Sequence, residues 1–172
     1  WQVDHYSYRA TVDHSDDDRY EAASAFVKEY YAKFPSNQAD QAERLAWCAE
    51  RGWTCVFEAS SIVRRYNKKT ETEQMPLNTL ALGKHLAFFT APGELWDTVS
   101  TQVEDNSGFD TTFCVGYSLD SFSYFVYDPD NGGALTYDSY EGFNRNFVAP
   151  NTINDMIAYW QSALDRLYAN AQ

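Results

Sequence analysis

The run Leu86-Ala87-Phe88-Phe89-Thr90-Ala91-Pro92-Gly93-Glu94 constrains this chain more than any other stretch. Its first residues are apolar and β-prone, Pro-Gly stops the extended run, and one carboxylate arrives just before a helical pattern begins. That pattern places Leu95, Trp96, Val99 and Val103 on one stripe. A second β-run follows, in which Phe109, Thr111, Phe113 and Val115 alternate along one face, and it leads to Gly116-Tyr117 with Tyr124 beyond. A strand, a helix and another strand in this order call for a sheet with helices packed on it. Glu94 and Tyr124 are then held at the ends of two neighbouring strands.

The rest of the chain fits the same class. A β-run over 77–82 meets the 85–91 run across Gly83-Lys84, a hairpin turn. Residues 15–34 read as a helix capped by Ser15 or Asp16, with Ala23, Phe26, Val27, Tyr30 and Phe34 as its stripe. After Pro35-Ser36, a helix over 37–51 is expected on Ala42, Leu45, Ala46 and Ala49, closed by Gly52. A short strand is expected at 53–58, then a polar, basic and exposed connection over 59–75 whose Arg64, Arg65, Lys68 and Lys69 form a solvated face. The clearest helix is 152–169, where Ile153, Met156, Ile157, Trp160, Leu164 and Leu167 share one face and Asn151 or Thr152 can cap it. Between 118 and 150 the chain is irregular and aromatic. Asp128-Pro129-Asp130-Asn131-Gly132-Gly133 is dense turn chemistry, and its likeness to an EF-hand loop fails because Ser139 stands where the twelfth-position glutamate belongs. The expectation is an α/β chain, a mixed sheet with helices packed on it, spanning 1–172 as one domain or as the C-terminal portion of a larger catalytic domain.

Composition narrows the function classes. With 172 residues, 44% hydrophobic and 17% aromatic, the chain can bury a sizeable core. A net charge of −12 argues against nucleic acid and anionic membrane surfaces, both of which need basic stripes. No apolar run is long enough to span a bilayer. The chain opens on Trp1 rather than Met, which reads as a processed product, a fragment or a continuation of something longer. Cys48 and Cys55 flank Gly52, and two readings stand side by side: a local disulfide, suited to a secreted or lumenal protein, or two buried thiols. Cys114 sits mid-strand without an evident partner.

The residue chemistry points to part of a metal site. Glu94 is a hard oxygen ligand, and Tyr124 can bind or hydrogen-bond beside a metal. A catalytic zinc needs about three protein ligands and an open position, so imidazoles would have to complete the set. Only His5, His14 and His85 are present, without HxH or HExxH pairing. His5 and His14 lie in an acidic N-terminal stretch read as mobile. His85 begins the strand that ends near Glu94, and nine residues at about 3.3 Å each separate the two by roughly 30 Å. Two alternative readings stand beside this one: Glu94 as a cap of the following helix only, and Tyr124 as a loop aromatic that packs on the core among its aromatic neighbours. No Gly-x-Ser-x-Gly elbow occurs, which sets aside a serine hydrolase of that type.

In order, the hairpin, Pro92-Gly93-Glu94, the helix, the strand ending in Gly116 with Tyr124 eight residues later, Tyr140-Glu141-Gly142, Ala149-Pro150 and the terminal helix resemble the neutral/alkaline ceramidases. The resemblance covers about residues 40–170 and corresponds to the C-terminal part of such a catalytic domain. It implies that Glu94 is a zinc ligand, that Tyr124 contacts the zinc and takes part in catalysis, and that Tyr140-Glu141-Gly142 lies in a loop over the site; two readings stand for Tyr137 and Tyr140, lining a substrate groove or covering the sheet edge. It also implies Zn2+ as cofactor and a lipid amide of the ceramide kind as substrate. The family's two zinc histidines and its Gly-Asp-Val-Ser-type segment have no counterpart in these 172 residues. The implied partner is therefore an upstream portion of the same protein or a separate chain that completes the site. The competing reading, from another functional class, is a non-catalytic α/β module kept for binding or assembly.

Overall fold

Alternation along 72–82 builds the central strand. Met75, Leu77, Thr79 and Ala81 turn to one side and are buried, while Gln74, Pro76, Asn78 and Leu80 turn to the other. In the computed structural model this strand, β2 (Thr72–Leu82), lies between β1 (Gln2–Thr11) and β3 (Leu86–Thr90), and β4 (Thr111–Val115) closes the sheet in the order β1-β2-β3-β4. The structure describes residues 1–36, 39–120, 122, 124–125, 148–149 and 151–171. β1 and β2 are antiparallel, as are β2 and β3, whereas β3 and β4 run parallel with Phe89 opposite Cys114. The chain is thus an α/β protein with a mixed sheet.

The hairpin between β2 and β3 turns on Gly83, whose φ of +63° lies in the left-handed region. Between β3 and β4 the chain crosses over through helix α4 (Asp97–Asp105), which buries Val99 and Val103. Helices α1 (Tyr20–Lys33), α2 (Gln41–Ala49) and α3 (Val56–Tyr66) precede β2, and α5 (Thr152–Asn170) ends the chain. The apolar face of α5 is fully buried at Ile153, Met156, Ile157, Trp160, Leu164 and Leu167, as its period predicts. Trp160 packs with its ring tilted against Phe89, centroids 5.1 Å apart, and donates its indole N–H to the Thr90 carbonyl at 3.1 Å, so the terminal helix is clamped to the end of β3. Tyr8 of β1 reaches the same helix through Asp155 at 2.5 Å.

A second core forms among α1, α2 and α3, where Phe26, Tyr30, Phe34, Trp53, Val56 and Ile62 pack together. It is tied to the segment that follows the sheet's first strand by Arg65, which is 2% exposed. Its guanidinium donates to Asp16 at 2.5 Å and Ser61 at 3.0 Å, and Asp13 lies at 3.7 Å. Burial of this cation is tolerated because carboxylates and a hydroxyl surround it.

Several local expectations are corrected. Residues 2–11, read as a mobile stretch, form a ten-residue strand. Asp4 and His5 break its apolar alternation, yet Asp4 pairs with Arg166 at 2.6 Å and His5 with Asn78 at 2.6 Å. The helix expected from residue 15 begins with a 3-10 turn at Asp17–Arg19. The strand expected at 53–58 and part of the connection after it are the helix α3. Its β-prone opening is overruled by Val56, Ala59 and Ile62 at helical spacing and by Glu58, whose carboxylate accepts the Thr54 N–H at 2.9 Å. Arg65 belongs to a buried ion cluster rather than to a solvated face. In α2 the buried residue is Cys48, while Leu45 stays exposed. The thiols of Cys48, Cys55 and Cys114 are free. The turn expected at Asp128–Gly133 lies outside the described residues.

The sheet's two faces differ, and the difference is measurable. Phe89 points to the helices and is fully buried, whereas Phe113 lies on the opposite face and is 50% exposed. Phe89→Ala should cost about 3–5 kcal/mol of unfolding free energy, and Phe113→Ala less than about 1 kcal/mol. Urea denaturation of both variants checks this, and equal losses would invert the face assignment.

Candidate functional site

Beyond the last residues of β3 and β4 the two segments stay laced together. Ala91 N–H donates to the Val115 carbonyl at 3.0 Å, Tyr117 N–H to Gly93 at 3.0 Å, Ser118 N–H to Ala91 at 2.9 Å and Phe122 N–H to Pro92 at 2.7 Å. Phe122 is buried and anchors the far side of this loop. A side chain at Gly116 would be crowded, since a Cβ there would stand 3.3 Å from the Gly93 carbonyl oxygen. Tyr117 and Leu119 take φ values of +50° and +70°, a conformation that side chains disfavour and that the surrounding hydrogen bonds enforce.

This lacing brings two short strands together, β5 (Glu94–Leu95) and β6 (Tyr124–Phe125). They pair in parallel, with Glu94 the register partner of Tyr124 and Leu95 that of Phe125. Trp96 N–H extends the contact to the Phe125 carbonyl at 3.3 Å. The two residues singled out by spacing, thirty positions apart, are therefore neighbours across one ladder, about 5 Å apart in backbone terms. They border a shallow, open hollow of about 390 Å³ with Leu95, Trp96 and Asp97. The location follows a general rule for open α/β sheets, whose sites gather at the carboxyl ends of parallel strands.

Glu94 is exposed, and its carboxylate accepts a hydrogen bond from the Tyr117 hydroxyl at 2.8 Å. It does not cap α4: that helix has Trp96 at its cap with no side-chain capping bond, and the Thr98 N–H is satisfied by Asp97. The Tyr117 hydrogen bond engages Oε2. Tyr117 is a site residue that spacing alone did not single out. Its one signal in the sequence is its place directly after Gly116, the glycine that follows β4.

The histidines lie elsewhere. His85 occupies the opposite end of β3 and bonds Asp110 at 2.5 Å, and His14 bonds Asp17 at 3.1 Å near the start of α1. Among the described residues no group of three or more His, Cys, Asp or Glu side chains converges as a metal-binding set. The expected loop residues Tyr137 and Tyr140, with the Tyr140-Glu141-Gly142 motif, lie outside the described residues. Comparison of the chain with protein-family models, with curated proteins and with solved structures finds no match.

The Glu94–Tyr117 contact makes a prediction. A phenol that donates to a carboxylate resists deprotonation, and this bond, with Glu94's charge, raises the Tyr117 pKa above its ordinary value. Ultraviolet titration of wild type against Tyr117→Phe should show that the tyrosine removed titrates later than a free phenol. In Glu94→Gln the same tyrosine should titrate earlier than in wild type. An unchanged Tyr117 titration in Glu94→Gln would break the assigned contact.

Proposed function

We propose that this chain is the portion of a zinc-dependent amidohydrolase, similar to the neutral/alkaline ceramidases, that supplies Glu94 and Tyr124 to the active site. The observation that carries this reading is the pairing of Glu94 with Tyr124 across β5 and β6, beside an open hollow at the ends of two parallel strands. A carboxylate and a phenol offer two hard oxygen donors, a fitting part of a three-ligand catalytic shell and too few for the whole. The completing ligands belong to an upstream portion of the same protein or to a separate chain. The exposed apolar residues Phe113, Val115 and Leu119 support such completion, since they run along β4 and its following loop toward Tyr117 and Glu94.

When bound, zinc would polarise an amide carbonyl and lower the pKa of a bound water. The chain's own residues have distinct tasks. Glu94 offers its negative charge to a cation through the oxygen that Tyr117 leaves unoccupied. Tyr117 holds that carboxylate in one orientation, as the outer partners of metal ligands do. Tyr124 offers a hydroxyl that can donate to the oxygen of a tetrahedral centre, where charge develops as the amide is attacked. Trp96 and Leu95 give the hollow an apolar wall suited to the hydrocarbon part of a lipid amide. Tyr137 and Tyr140 are assigned to substrate contact.

The test is steady-state kinetics on the complete protein with a ceramide-like amide. Tyr124→Phe should lower kcat on the order of 10²–10³, the usual cost of one oriented donor to an oxyanion. Tyr137→Phe and Tyr140→Phe should mainly raise KM. Residues 1–172 alone should be inactive, because among the described residues no nucleophile is paired with a base and the shell is incomplete. Normal turnover in Tyr124→Phe with loss in Tyr140→Phe would move the role to Tyr140. Absence of both activity and zinc in the complete protein would favour the non-catalytic module.

A further inference from the structure

The helical core holds a second hollow, remote in sequence from Glu94 and Tyr124 and independent of the function proposed for them. It measures about 140 Å³ and lies where α1, α2 and the start of α3 meet. Tyr30, Cys48 and Val56 form its floor and are nearly fully buried. Three of the chain's large exposed apolar side chains, Tyr31, Leu45 and Phe57, gather on this same hollow, at 54%, 42% and 40% exposure. Large apolar side chains left at the surface together around a concavity are a mark of binding, whereas scattered ones are not.

One cation faces this apolar lining. Arg44 lines the hollow, and its Nε is buried without a hydrogen-bond partner. Among the described residues the Arg44 side chain has neither an ion pair nor a hydrogen bond. Arg19, Arg51, Arg65 and Arg166, by contrast, each pair with a carboxylate. A buried guanidinium N–H left unpaired is costly, and a planar carboxylate is the group whose geometry matches the guanidinium fork. The space limits the rest of the ligand, because an apolar cavity of about 150 Å³ holds one benzene-sized ring.

We propose that this hollow binds small carboxylates with one aryl ring or a branched alkyl body. The ring would lie against Tyr30 and Val56, and the carboxylate would fork onto Arg44. A single arginine in an apolar lining suits a monoanion with a hydrophobic body better than a phosphate, which needs more donors to balance its charge.

Phenylacetate titrated into the 172-residue chain, followed by calorimetry, tests this directly. One molecule should bind per chain with a Kd on the order of 1 mM, what a ligand of about ten non-hydrogen atoms reaches in a shallow site. Phenylacetamide, the neutral isostere, should bind at least about tenfold more weakly, because it cannot form the charge-assisted pair. Arg44→Gln should lose the same factor for the acid and leave the amide unchanged. The half-buried Cys55 also lines the hollow, so saturating phenylacetate should slow its alkylation while Cys114 reacts as before. Equal affinity for acid and amide, full affinity in Arg44→Gln, or no saturation with phenylacetate would each overturn the proposal. The acid–amide comparison is made on the unaltered chain, so it decides the matter whatever Arg44→Gln does to folding.

Discussion

Parallel pairing of β3 with β4, continued by main-chain hydrogen bonds past the ends of both strands, is the constraint on which the remaining structure depends. The four bonds that link residues 91–93 to residues 115–122 turn two loops into a fixed frame. Without them nothing would hold β5 against β6, since two residues per strand cannot form a stable ladder alone. Gly116 suits the close approach of the Gly93 carbonyl, and Tyr117 accepts a left-handed backbone because its N–H and hydroxyl are both engaged. The core reinforces the frame from below: Trp160 reaches the Thr90 carbonyl, and Phe89 packs on its ring. Burial of that pair fixes where β3 ends, and so where Glu94 emerges.

Legibility in the sequence followed the strength of each local period. The hairpin across Gly83 and the terminal helix were readable because their patterns run for several turns or residues without interruption. β1 was not readable, since Asp4, His5 and Arg9 hide its alternation and their compensating partners Arg166 and Asn78 are distant in sequence. α3 was mistaken for a strand because Trp53 to Phe57 are β-prone types, and local propensity yields to packing against α1. Arg65 looked like surface charge for a related reason: its carboxylates come from a segment about fifty residues away. Long-range ion pairing leaves little trace in one sequence.

The candidate site was legible in part. Spacing singled out Glu94 and Tyr124, which stand opposite each other on β5 and β6. Tyr117 was passed over because a hydroxyl's partner depends on register between loops, which only the fold specifies. The same holds for the Arg44 hollow. α2 was expected to bury Leu45, whereas Leu45 is exposed beside an arginine that has no side-chain partner among the described residues, so two residues that looked ordinary together mark a concavity. In both places the informative feature is a polar group whose hydrogen-bond accounting is decided far from its own segment.

The central claim is that Glu94 is a ligand contributed to a shared zinc site. Zinc affinity of the complete protein, measured by competition with a chelator of known strength, tests it most directly. Glu94→Gln should weaken zinc binding well beyond tenfold, since replacing a carboxylate with a neutral amide removes a charged ligand from a shell of about three. Tyr117→Phe should weaken it less, in the range of about 10–100-fold expected for loss of an outer-shell partner. Unchanged zinc affinity in Glu94→Gln, with the protein folded and active, would contradict the account.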